Sequence, residues 1–157
     1  MAYSGYQKPT NKIVVAGKPL IQELKVETAT SMYPGRLVTK GTNDDDVIVN
    51  TASTAACGWL GYEQITNPGF QPDTVDTIYT INAQAPVLSG GGFVIVGRLA
   101  SGQSVAKDAK LKGTAAGELT AIGADDLDAS ANYVVAIAEE TVNASGAAAD
   151  IMVRSLI

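Results

Sequence analysis

The sequence contains no histidine and a single cysteine, Cys57. Imidazole is the commonest general base and metal ligand near neutral pH. Its absence removes histidine triads, cysteine–histidine pairs and most zinc chemistry. One thiol excludes an internal disulfide framework and any paired-cysteine metal site. Cations are scarce too: 11 Lys+Arg stand against 16 Asp+Glu, a formal charge of −5. A nucleic-acid surface needs clustered Lys and Arg to displace counterions, and this balance argues against one. The longest uncharged stretch, between Asp76 and Arg98, is broken by Asn82, Gln84, Pro86 and Gly90-Gly91-Gly92. It cannot be an unbroken membrane helix. The opening residues lack the charged start and apolar run of a secretion signal. The expectation is a soluble product made in the cytoplasm, with no membrane partner.

What is present is a chain of 157 residues, 46% hydrophobic and 17% charged. That suits one compact domain with a real core, or one domain plus an arm. Residues 1–11 are polar and carry Tyr3, Tyr6 and Pro9, which predicts an extended N-terminal arm. The domain is then 12–157. Its first signals are Lys12 to Ala16, and the alternation of Leu20, Leu24 and Val26 against Glu23, Lys25 and Glu27. A period of two predicts half-buried strands. A helix opened by Pro19 competes for that second segment, and the β-branched residues after it favour strand.

Tyr33-Pro34-Gly35 predicts a turn, with proline presetting φ at the second position and glycine accepting positive φ at the third. Strands are expected at Arg36–Lys40, Val47–Val49, Ala55–Tyr62 and Thr74–Asn82, with a surface loop around Pro68 and Pro72. Phe93–Val96 is an apolar run of strand length, expected to be central and covered on both sides. Val105, Leu111, Leu119, Tyr133–Ala138 and Ile151–Ile157 supply further strands. Asp125–Ala131 suggests one helical turn. The sum is an all-β fold, a compact barrel or sandwich. An internal echo, Gly-x-x-Val-x-Lys at Gly35–Lys40 and Gly102–Lys107, raises the prospect of a duplicated unit.

No segment carries a complete catalytic motif. Cys57 lies in Ala55-Ala56-Cys57-Gly58-Trp59-Leu60, an apolar setting that favours a structural thiol over a nucleophile. Asn43–Asp46 and Asp125–Asp128 are acidic clusters without the spacing of a calcium hand, and solvated turn charges are the default. Ser89-Gly90-Gly91-Gly92 precedes a strand instead of opening a helix, so it is no phosphate loop. Ser101–Ala106 misses the last glycine of a nucleophile elbow. Asn143-Ala144-Ser145 matches a glycosylation acceptor, without consequence in an unsecreted protein. No catalytic residue, cofactor or metal site is assigned. Tyr3 and Tyr6 pair a large apolar area with a polar tip and could anchor the arm to another subunit; a frayed terminus is the equal alternative. The apolar tail ending Leu156-Ile157 is expected to be buried.

Four pieces in order carry a family resemblance: Tyr33–Val38; Gly58-Trp59-Leu60-Gly61; Val96–Val105 leading to Lys107 and Leu111; and Val134–Thr141 with Ile151–Ile157. Together they resemble the capsid decoration, or cement, proteins of tailed bacteriophages and related archaeal viruses. One departure is Lys107-Asp108-Ala109, where the resemblance would place a Lys-Gly-Asp-like turn. The resemblance implies a β-barrel-like subunit, a homotrimer on the outer capsid surface at three-fold and quasi-three-fold positions. There it would hold neighbouring major capsid proteins together against internal DNA pressure. It implies a non-enzymatic virion protein that touches no nucleic acid directly. The interface candidates are Tyr3, Tyr6 and Pro9 of the arm, Tyr33, Pro34 and Arg36 of the turn, and Pro68 and Phe70 of the loop. A head-fibre or tail component is the nearest alternative. A ligand- or glycan-binding barrel would instead expose aromatics such as Trp59 or Tyr62, although the apolar neighbours of Trp59 place it in the core.

Overall fold

The computed structural model describes residues 8–9, 11–51, 54–62, 74–123 and 133–157. Among them the protein is all-β, as expected, and it is built as two small barrels. The first contains β2 (Leu20–Val26), β3 (Leu37–Lys40), β4 (Asp46–Val49), β5 (Gly58–Leu60) and β6 (Gln84–Ser89), closed in the order β2-β4-β3-β5-β6. The second contains β7 (Val94–Leu99), β9 (Lys110–Gly113), β10 (Leu119–Ala121), β11 (Ala136–Ala138) and β13 (Ala149–Ser155). Its strands run β7-β10-β9-β11-β13, and the pairing of β13 back onto β7 closes the ring. A short β1 (Val14–Ala16) adds to β7, and β8 (Gln103–Val105) pairs with β12 (Val142–Ala144) as a separate ribbon.

The two barrels share one topology. In each, the first and third strands are parallel, β2 with β4 and β7 with β10, and every other neighbour is antiparallel. Lys-Gly-Thr closes the second strand in both, as Lys40-Gly41-Thr42 and as Lys112-Gly113-Thr114. The Gly-x-x-Val-x-Lys echo does not follow this repeat: its first copy enters β3, but its second lies on β8, outside the ring.

Each barrel has its own core. Leu24, Val26, Val38, Val47, Leu60, Ala85 and Val87 fill the first together with Met32 and Tyr79. Ile95, Leu99, Leu111, Leu119, Ala136, Ile151 and Val153 fill the second. Side chains alternate along a strand, so the next residues point out of the first barrel. Three of them, Leu37, Trp59 and Leu88, form a cross-strand row and pack into the second core. Trp59 is fully buried, as expected, and its Nε1 donates to Ser155 Oγ at 2.9 Å. Glycines make room for this row. A Cβ on Gly97 would stand 3.1 Å from the Trp59 ring, and one on Gly113 would stand 3.1 Å from Leu37 Cδ1.

Several expectations need correction. Thr74–Asn82 forms turns and irregular chain, and the strand is β6 beyond it, running through Pro86. The expected Ala55–Tyr62 strand shortens to Gly58–Leu60. Leu20 is exposed, because β2 continues beyond the start of β4 and leaves the barrel interior. Leu156 is also exposed, since β13 ends at Ser155, while Ile157 packs against the second core. Phe93–Val96 is central as expected: Val94 and Ile95 are buried, and β7 pairs with both β1 and β13. The Asp125–Ala131 turn and the loop bearing Pro68 and Pro72 lie outside the described residues.

Candidate functional site

Tyr33-Pro34-Gly35-Arg36 closes as expected, with Arg36 N–H donating to Tyr33 O at 3.2 Å and Gly35 at φ 82°. Only glycine fits, because a Cβ would stand 2.5 Å from Val96 O of the second barrel. The turn therefore sits at the junction between the barrels. The Arg36 guanidinium lies 5.6 Å above the Tyr33 ring and pairs with Glu118, next to the single helical turn Ala115–Gly117. It also donates to Ala116 O at 3.3 Å. This half-buried pair ties the approach to β3 in one barrel to the approach to β10 in the other.

The root of the arm crosses the same junction. Lys8 Nζ reaches Glu140 at 2.7 Å and Asp150 O at 2.7 Å, both on the second barrel's side. Asn11 accepts from Val75 N–H at 3.0 Å and donates to Tyr62 Oη at 3.3 Å, both on the β5–β6 connection of the first barrel. Ile13 is buried, and its carbonyl accepts from Val96 N–H at 2.8 Å. A cleft of about 280 Å³ opens beside this root. Pro9, Tyr33, Pro34 and Arg36 all line it, so the candidates from the arm and the turn converge on one surface. Tyr3, Tyr6, Pro68 and Phe70 lie outside the described residues.

Sequence reasoning missed the partners that organise this face. Lys12, Asp76, Arg98 and Asp150 complete its rim. Arg98 pairs with Asp150 at 2.8 Å, whereas Lys12 and Asp76 have no ion-pair partner among the described residues. These charges come from segments far apart in the chain, and no local spacing announces them. The cleft offers an aromatic ring, a proline edge and unpaired charges of both signs. Among the described residues it holds no nucleophile–base pair.

The other candidates have structural roles. In the Asn43–Asp46 cluster, Asp46 is buried and bonded by Lys25 at 2.9 Å and by Asn43. The hydrogen bond from Lys25 holds the Asp46 carboxyl below the usual range, with Asn43 adding to it, and the same bond raises Lys25. Asp44 and Asp45 are exposed, and no group of acids or Cys57 is arranged to hold a metal among the described residues. Cys57 is half-buried against the first core, and burial pushes its thiol up. Gly90, Gly91 and Gly92 all take positive φ in the turn that feeds β7. In Lys107-Asp108-Ala109, Asp108 adopts φ 67°, a left-handed conformation that favours glycine. No helix among the described residues is long and apolar enough to cross a membrane.

Compared with known proteins, the chain matches no family model and no curated protein.

Proposed function

We propose that this protein is a non-enzymatic virion component: a homotrimeric capsid decoration protein that binds the outer surface of the major capsid protein lattice at three-fold and quasi-three-fold positions. It stabilises the shell against internal DNA pressure. The observation that carries this reading is the convergence of the arm root and the Tyr33–Arg36 turn on one face. Lys8 and Asn11 fix the described root of the expected arm across both barrels. A brace of this kind needs a rigid body and modest contacts multiplied by symmetry. Two barrels locked by the Leu37–Trp59–Leu88 row supply the rigidity. The four pieces that carry the family resemblance fall on the turn before β3, on β5, on β7 with β8, and on β11 with β13.

The glycan-binding alternative loses its main platform, because Trp59 is fully buried and Tyr62 is engaged by Asn11. The test is to add purified protein to expanded capsids that lack their outer protein. Saturable uptake and greater resistance of the shells to heat support the proposal. Absence of both rejects it.

A further inference from the structure

We propose that the cleft at the barrel junction is a socket for an acidic side chain of a partner protein, a glutamate or aspartate with a basic residue beside it. The proposal rests on the reading of this face as a docking surface and names the chemistry that would dock there. The site is assembled by a three-way backbone contact. Ile13 O accepts from Val96 N–H at 2.8 Å, and a Cβ on Gly35 would stand 2.5 Å from Val96 O and 3.7 Å from Ile13 Cγ2. Lys12 precedes Ile13, Arg36 follows Gly35, and Arg98 lies beyond Val96 on the same face of β7. Cations from three distant segments thus line one cleft.

Most of their donors are unused. The Arg36 side chain is only 14% exposed, yet its bonds to Ala116 O and Glu118 run through Nη1 alone. Its Nε and Nη2 have no acceptor among the described residues, and neither is sealed from solvent. Arg98 likewise bonds Asp150 through Nη1 alone, and Lys12 Nζ bonds to no described residue. A mostly buried guanidinium with open donors suits a carboxylate, which accepts two of them side by side. Charge narrows the ligand further. Glu118 and Asp150 already balance the two arginines, which leaves Lys12 and Asp76 as the unpaired charges of the cleft. A dianion such as phosphate would meet Asp76 with only one free cation to hold it. A carboxylate matches Lys12, and a neighbouring base matches Asp76. At about 280 Å³ the cleft is smaller than the ~300–1,000 Å³ of ligand and cofactor sites, and it suits one side chain whose methylenes lie against Tyr33 and Pro34.

The probe is a short end-capped glycine peptide carrying one glutamate followed by one lysine. Titrated into the isotope-labelled chain and followed by NMR, it should move the Arg36 and Arg98 Nε–H signals together and saturably. Replacing the peptide's glutamate by glutamine should weaken binding by about tenfold. Replacing it by phosphoserine should not strengthen binding. Lys12→Gln alters an exposed side chain that bonds nothing described, so the variant should fold, and it should weaken binding by about fivefold. Replacing the peptide's lysine by alanine should weaken binding to the wild type but not to Asp76→Asn. No saturable shift at millimolar peptide, equal affinity for the glutamine peptide, tighter binding of phosphoserine, or wild-type affinity in Lys12→Gln would each overturn the proposal. So would an equal loss on Asp76→Asn when the peptide's lysine is removed. The titration uses the chain without shells: peptide binding beside bare shells would reject the capsid reading alone, and its absence beside decorated shells would reject the socket alone.

Discussion

Tyr79 Oη donates to Gly61 O at 2.9 Å, filling the position from which Pro86 can offer no N–H. Gly61 and Pro86 face each other across the extension of the β5–β6 ladder, where Gly61 N–H donates to Pro86 O at 2.6 Å. A normal residue at 86 would return a bond to Gly61 O, and proline cannot. On its other side Pro86 lies opposite Glu23, at a position of the β2 ladder that needs no N–H. The buried tyrosine hydroxyl thus lets a proline stand inside a closed barrel.

Tyr79→Phe should cost about 1–3 kcal/mol, because it leaves a buried carbonyl without a donor. Pro86→Ala restores an N–H and should recover part of that loss in the double variant. Urea denaturation of the four proteins measures the coupling. Strictly additive effects would show that the two residues act separately.

This arrangement also explains where the sequence misled. The residue pattern of Thr74–Asn82 favoured a strand there, and the hydroxyl that lets Pro86 stand in β6 is a tertiary feature that no local pattern reports. The all-β class, the Tyr33–Arg36 turn and the centrality of β7 were legible, because they depend on periodicity and turn chemistry alone. The division into two barrels was not. It depends on β13 returning to β7 across about 50 residues of chain, and on Leu37, Trp59 and Leu88 pointing out of one core into another. The candidate face was half legible: Tyr33, Pro34, Arg36 and Pro9 were named, but Glu118, Lys8, Glu140 and Asp150 meet them only through folding.

The Trp59 row joins the two cores and should make the barrels unfold as one cooperative unit. Trp59→Ala should destabilise the protein by about 3–5 kcal/mol and separate the unfolding into two transitions seen by calorimetry. Ser155→Ala removes only the indole's partner, and should cost about 1 kcal/mol while keeping one transition. Two transitions in the wild-type protein would refute the coupling.

Acid titration should report the Lys25–Asp46 pair. The folded Asp46 carboxyl lies below its unfolded value, so its contribution is complete above the ordinary aspartate range, about pH 4, and is lost as pH falls through the lower folded value. Lys25 is raised, so its contribution is complete below the ordinary lysine range, about pH 10, and fades above it. The urea midpoint of the wild type should fall more steeply below pH 4 than that of Asp46→Asn. Parallel curves would remove the pair from the account.

Cys57 should react slowly with disulfide reagents at neutral pH, because burial raises its thiol and keeps thiolate scarce. Unfolding in urea should accelerate the reaction by more than about tenfold. Fast labelling of the folded protein would contradict a packed thiol.

The function is tested most directly by electron microscopy of expanded shells incubated with this protein. The proposal predicts three-lobed density on the outer surface at three-fold and quasi-three-fold positions, each lobe large enough for two small barrels. Bare shells, or density confined to the tail, would contradict it.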